Sequence, residues 1–327
     1  MKVSIIIKTL NEEENIGRAI KSAIKAVKGI DHEIILADSL STDKTVEIAK
    51  KYPIKIVQLV NAKDRSCGIG AQLGYLRSKG DYIYILDGDM ELSKDFIRQG
   101  IKELEAEKDL AGVGGIINEM TTTNIVFRRR KKGKGSKVDK PVYASSLPMG
   151  GLYKREAIEN VDYFSNPDLH AYEEFDLGAR LGSLGYKFKR IPVSMIKHYG
   201  DKLSSFSIML NRWRMKFHWA SGELIRYHFN KPTFFTVLRE VKLYLFVIFW
   251  WFWLILSFAF LKYSSLLLKV QLLSTALFLI LFSIKKRQLS EVVFSIFSWN
   301  LAAFGLICGL FEKRKNIKRR INAIKIK

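Results

Sequence analysis

The sequence predicts an α/β domain, a mostly parallel sheet flanked by helices, followed by an interfacial helix region and a helical transmembrane region. Three observations carry this. Short β-branched and apolar runs alternate with helical periodicity over residues 1–200, the pattern of right-handed βαβ units. The stretch Tyr82–Leu92, YIYILDGDMEL, reads as a strand buried on both faces that ends on Asp87-Gly88-Asp89. From Leu243 onward, three apolar runs each have about the 20 residues a bilayer needs.

In chain order, Val3–Lys8 is the first strand. A polar loop, Thr9–Asn15, leads to a helix with apolar residues at Ile16, Ile20, Ala23, Ile24 and Val27. Glu33–Ala37 is a second strand, Asp38–Thr42 a loop and Asp43–Lys51 a helix, with Asp43 suited to the N-cap. Ile54–Leu59 is a third strand. Asn61–Lys79, which carries Arg65, Gly68, Gly70, Gln72 and Gly74, forms a loop and helix leading to the central strand. The carboxyl ends of strands one, two and four then bring Thr9–Glu12, Asp38–Ser41 and Asp87–Asp89 to one crevice, where open α/β sheets bind ligands.

Asp87 and Asp89, with a glycine between them, can hold a hard divalent cation through oxygen and leave positions open for a diphosphate. Taken alone, Asp-Gly-Asp is also ordinary turn chemistry. Asp38 can accept from a ring N–H or a ribose hydroxyl, and Thr9 and Asn11 can add side-chain and backbone contacts.

Charge and cysteine usage narrow the class. Lys and Arg number 54 against 32 Asp and Glu, a net charge of +22 that calls for an anionic partner. The basic residues concentrate in Arg128–Lys140, Lys285-Lys286-Arg287 and Lys313–Lys327, and two of these flank apolar runs, so the expected partner is membrane and not nucleic acid. Arg128–Lys140 has eight Lys or Arg and almost no apolar content, which predicts a loop, either a solvated insertion or, as its place between the metal strand and the Gly150-Gly151 pair favours, one that meets phosphates. Cys67 and Cys308 lie too far apart in sequence to suggest a disulfide framework or a zinc site. No secretory signal precedes Lys2-Val3-Ser4, so the expectation is a multi-pass cell-membrane protein with a cytoplasmic amino-terminal domain.

Six pieces occur in order: SIIIKTLNEEENI, ILADSLSTDKT, the DGD, Gly150-Gly151 before Tyr-Lys-Arg, EEFDLGARL from Glu173, and His198 after a late strand. Together they resemble a family 2 glycosyltransferase of the GT-A fold over residues 3–200. The resemblance implies that Thr9, Asn11, Glu12, Asp38, Arg65 and Asp87 bind a nucleotide sugar, commonly a uridine diphosphate sugar. It places Mg²⁺ or Mn²⁺ on Asp89, Asp87 and His198, and the general base on Glu174, where the family usually has Asp. Gly150, Gly151 and Glu173 fall on the acceptor side, although Glu173 also reads as a solvated first-turn acid. Two departures stand out: Ser39 where a second Asp is frequent, and Leu40 where Gly is. Asp176 and Arg180, four apart, suit a structural ion pair.

The expected divisions are a catalytic domain at 1–202, amphipathic interfacial helices at 203–240, two or three transmembrane helices at 241–312 and a basic tail at 313–327. Leu203–Phe229 interleaves aromatic and basic residues as a headgroup-level segment does. Arg212-Trp213 resembles a pair in processive synthases, but Met209 stands where their Gln would be, so no processive polymerase is expected. Three crossings by Leu243–Leu261, Ser264–Ile284 and Val292–Phe311 would put the basic tail outside, against the positive-inside tendency; two would not. The function expected is inverting, metal-dependent transfer of a sugar from a nucleotide diphosphate sugar to a hydroxyl of a lipid-linked or polysaccharide acceptor. The alternatives are transfer to a polyprenyl phosphate, and a non-catalytic nucleotide- or lipid-binding membrane protein.

Overall fold

The computed structural model describes residues 2–133, 136–261, 265–313, 316–317 and 319–327. Two compact units emerge: Met1–Ser204 with Lys313–Lys327, and Ser205–Glu312.

The first unit opens with β1 (Val3–Thr9), α1 (Ile16–Ala26), β2 (His32–Asp38), α2 (Thr45–Lys50), β3 (Lys55–Leu59), α3 (Cys67–Arg77) and β4 (Tyr82–Asp87). It continues through β5 (Met90–Leu92), α4 (Phe96–Ala106), β6 (Leu110–Glu119), α5 (Ile125–Lys132), β7 (Val142–Ala144), β8 (Leu152–Lys154), α6 (Arg155–Glu159), α7 (Glu173–Ser183) and β9 (Lys187–His198). The last strand, β10 (Ala323–Lys325), comes from the chain end. Strand order is β10-β3-β2-β1-β4-β8-β6-β9-β5, with β7 on β9.

The sheet is mixed. β3, β2, β1 and β4 run parallel, as the βαβ spacing requires, and so do β6 and β9. β8 enters antiparallel between β4 and β6, and β5 and β7 lie antiparallel on β9. Alternation along β1 explains the layering: Ile5 and Ile7 join Ile16, Ile20 and Ala23 of α1 in one core, while Ile6 joins Ile69 and Leu73 of α3 in the other. Each such buried isoleucine or leucine contributes about 1.5–3 kcal/mol. α3 can approach because Gly74 faces Ile6, where a Cβ would lie 2.2 Å from Cγ2.

Register fixes the site. Lys8 stands opposite Asp87 and Thr9 opposite Asp38, so the carboxyl ends of β1, β2 and β4 finish at one level.

Two segments differ from expectation. Within Arg128–Lys140, residues 128–132 are the end of α5 and not a loop; Lys134 and Gly135 lie outside the described residues. The helix forms because Asn124 caps it, accepting from Phe127 N at 3.0 Å, and because Ile125 and Phe127 are buried; its basic end suits the carboxyl terminus of the helix dipole. The expected basic tail supplies β10, antiparallel to the edge strand β3.

The second unit is helical: α8 (Ser205–Arg214), a 3₁₀ turn (Phe217–Trp219), α9 (Ala220–His228), α10 (Phe234–Glu240), α11 (Lys242–Ala259), α12 (Leu266–Lys286) and α13 (Leu289–Phe311). Three of these, α11, α12 and α13, are long and apolar enough to cross a membrane.

Candidate active site

Lys8 ends on a cluster of carboxylates. Its Nζ lies 2.8 Å from Glu173 Oε1 and 3.2 Å from Asp87 Oδ1. Glu173, read in part as a solvated acid, is buried and paired here because Lys8, at the end of β1, reaches it. Glu174 follows at the head of α7, entered through Tyr172 in a left-handed conformation (φ 65°), and helix and acids meet at the favourable end of the dipole. Lys8, Glu173 and Glu174 line one small pocket, partly open to solvent, with Tyr153, Phe164 and Gly150.

Burial, reinforced by Glu173 and opposed by Lys8, pushes the Glu174 carboxyl up to about 8. Asp87 is also raised, by burial first and then by Asp89, against the pull of Lys8. Burial pulls Lys8 down, but Asp87, Glu173 and Glu174 together hold it well above the usual lysine range. The pocket therefore holds an ammonium and a carboxyl poised near neutrality.

Asp89 and His198 form a second group. His198 Nε2 is 3.0 Å from Asp89 Oδ2, and Nδ1 is 2.8 Å from Glu119 Oε1, on a fully buried side chain at the end of β6. Burial lowers the His198 pKa, but Asp89 and Glu119 outweigh it and hold the ring up at about 9. Arg130 of α5 adds a contact to Glu119 at 3.4 Å. A carboxylate on one ring nitrogen fixes the ring and turns the other toward Asp89, the kind of support that also orients metal-binding histidines.

Among the described residues no three His, Cys, Asp or Glu side chains converge into a metal cage. Asp89 and His198 still fit a hard cation that draws its other ligands from phosphate and water. Asp87 faces Lys8 instead.

The remaining candidates belong to the loop around β2. Asp38 is fully buried, and its carboxylate accepts from Ser41 N at 2.9 Å, from the Ser41 hydroxyl and from Gln58 Nε2 at 2.9 Å, so it braces the loop. Asn11 adopts a left-handed conformation that Asn tolerates, with its Oδ1 accepting from Thr42 N at 2.8 Å. Leu40, at a position the resemblance gives to Gly, is left-handed too (φ 66°). Arg65 donates to the carbonyls of Ser39 and Leu40. Glu12 sits near Gly88, where a Cβ would lie 3.0 Å from Glu12 Cγ, and burial raises its carboxyl to about 7. The Thr9 hydroxyl is buried with no hydrogen-bond partner among the described residues. Gly150 (φ 89°) presses on the central strand; a Cβ there would lie 2.3 Å from Ile85 O, and the Gly151 carbonyl accepts from Ile85 N at 3.2 Å. The structure thus brings Asp87, Glu173 and Glu174 together around Lys8, pairs Asp89 with His198, and holds Asp38 apart in its own network.

Residues 4–162 match the family model described as Glycosyl transferase family 2. Residues 4–162 form a domain of this family. It is similar to the dolichol-phosphate mannosyltransferase of Pyrococcus furiosus, 25% identical over 173 residues (50% of this chain, 49% of that protein). It is also similar to the poly(ribitol-phosphate) beta-N-acetylglucosaminyltransferase TarP of Staphylococcus aureus, 28% identical over 169 residues (50% and 46%). The chain thus spans about half the length of these curated relatives. The mannosyltransferase PcManGT of Pyrobaculum calidifontis, solved with GDP-Man and Mn²⁺, shares the fold, with TM-score 0.60 and 16% identity over 95% of this chain and 88% of that one.

Around this site, sequence reasoning missed Lys8 and Glu119. Lys8 stood inside the quoted opening motif without a role. Glu119 had a usable signal, an acid at the carboxyl end of a strand like Asp38 and Asp87.

Proposed function

We propose that the chain is an inverting glycosyltransferase that moves a sugar from a nucleotide diphosphate sugar, a uridine one first, to a hydroxyl of a lipid-linked or polysaccharide acceptor. The observation that carries this is Glu174, a carboxyl raised to about 8 in a pocket beside the Asp-Gly-Asp strand end. A base of that strength takes the hydroxyl proton as the oxygen attacks the anomeric carbon, and a single displacement inverts that carbon. Lys8 holds Asp87 and Glu173 in place around it. Asp89 and His198 would bind Mg²⁺ or Mn²⁺, and the cation neutralises charge on the leaving diphosphate. Mn²⁺, named with the Pyrobaculum protein, is the ion to try first. The catalytic domain lies on the cytoplasmic side in this reading, and the apolar helices anchor it.

A second reading is favoured by the Pyrococcus relative, named for dolichol phosphate: the acceptor is a polyprenyl phosphate. That acceptor is already anionic and needs no base. The deciding experiment compares Glu174→Gln with wild type on both acceptor classes, using purified protein and a panel of uridine and guanosine diphosphate sugars. Loss of transfer to a hydroxyl acceptor supports the first reading. Near-normal transfer to a polyprenyl phosphate replaces it with the second, and no turnover with any donor removes both.

A further inference from the structure

The chain leaves the sheet-bearing unit after Ser204 and rejoins it at Lys313. The return is made by backbone pairing: Ile324 lies opposite Gln58 and Lys325 opposite Val57, Ile326 N donates to Ile56 O at 2.9 Å, and Val60 N donates to Asn322 O at 3.1 Å. Side chains secure it. Arg319 reaches Asp168 at 2.5 Å, Ile321 and Ala323 pack on one core, and Ile326 packs on the other. A folded sheet with loops and edges cannot straddle a bilayer, whose core leaves their backbone groups unsatisfied. Both junctions therefore lie on one side, and the number of crossings between them is even. Three helices qualify by length and composition, so at least one does not cross.

The helix that stays is α13. Phe206 of α8 meets Phe294 and Phe297 edge-on, Trp213 stacks on Phe304 at 5.7 Å, and Gly305 and Gly309 let the backbone of the segment 218–219 come close, a Cβ at Gly309 falling 2.0 Å from Trp219 O. From Phe294 to Gly309, α13 thus runs along the aromatic and basic segment 206–219, and 44% of its apolar window is buried, against 6% for α11 and for α12. Gln271 ties α12 to α11, accepting from Ser257 Oγ at 3.1 Å and donating to Trp250 O at 3.2 Å, while α13 meets the pair through Asn300, which accepts from Trp251 Nε1 at 2.8 Å. We infer that α11 and α12 form a two-crossing hairpin, while α13 lies with α8 and α9 in the lipid headgroup layer on the catalytic side. This puts Lys285-Lys286-Arg287 and the basic carboxyl-terminal segment on that side too, as the positive-inside tendency favours.

The inference rests on the membrane reading of α11 and α12 and uses no donor, so it fails or holds independently of the transfer reaction. Its test is sidedness in native membranes. Lys51→Cys, Ser265→Cys, Gln288→Cys and Lys313→Cys are made singly in a full chain with Cys67 and Cys308 replaced by serine, then probed with an impermeant maleimide in whole cells and in inside-out vesicles. The expected result is labelling of Ser265→Cys from one face and of the other three from the opposite face. Labelling of Lys313→Cys from the same face as Ser265→Cys would establish an odd number of crossings and overturn the inference. Labelling of all four from one face would do so by removing the hairpin. As a check free of the cysteine changes, an epitope after Lys327 on the native chain is digested only when the face bearing the catalytic unit is exposed; digestion from the other face overturns the inference.

Discussion

Replacing Lys8 by methionine keeps the length of the stem and removes the charge. In the native site Lys8 is 16% exposed, 2.8 Å from Glu173 and 3.2 Å from Asp87. Removing one partner of a buried pair costs about 3–5 kcal/mol, because the remaining charge has neither water nor a counter-ion. At about 2–4 °C per kcal/mol for a domain of this size, the melting temperature should fall by roughly 6–20 °C. The penalty falls on ionised carboxylates, so it is largest at alkaline pH and shrinks as protons neutralise Asp87 and Glu174, both raised by burial. Lys8→Met/Glu173→Gln should lose less than the sum of the two single changes, because the second removes the charge the first left stranded. Thermal melts of detergent-solubilised protein at acidic and alkaline pH measure both effects. A loss under about 2 °C at alkaline pH, equal losses at both pH values, or strict additivity would refute the reasoning.

Three further outcomes follow from the same geometry. Transfer to a hydroxyl acceptor should rise with pH through about 8, as Glu174 loses its proton, and a kcat/KM profile flat across that range would contradict the assignment. Glu119→Gln should return the His198 pKa from about 9 toward 6.5 and weaken Mn²⁺ binding about 10–100-fold, read by titration of the apo protein. Because the folded pKa is the higher one, His198 stabilises fully below 6.5 and loses this as pH rises through about 9, so wild-type melting should fall across that window and the variant's should fall less. Gly150→Ala forces a Cβ to 2.3 Å from Ile85 O at φ 89° and should cost more than about 2 kcal/mol, seen as a lower melting temperature and poor yield.

The parallel half of the sheet was legible because buried strands announce themselves as unbroken apolar runs, and β1, β2 and β4 each end on a chemically loaded turn. The i, i+4 pair of Asp176 and Arg180, now seen at 2.8 Å, was legible for the same local reason. What escaped depends on distant partners. Lys8 acquires its role from Glu173, 165 residues on, and Glu119 from His198, 79 residues on. The strand β10 is three residues with no run to mark it, and its pairing needs only an open edge. At Arg128–Lys132 the dense charge masked a capped helix anchored by two buried side chains. The left-handed conformations of Leu40 and Tyr172 have no counterpart in residue type at all.

Ligand-dependent melting of the purified protein against a panel of nucleotide diphosphate sugars with Mn²⁺ tests the central claim most directly, since a ligand that binds only the folded state raises its melting temperature. The account predicts a saturable rise for at least one donor, lost in Asp89→Asn. No shift with any donor, or an equal shift in Asp89→Asn, would contradict it.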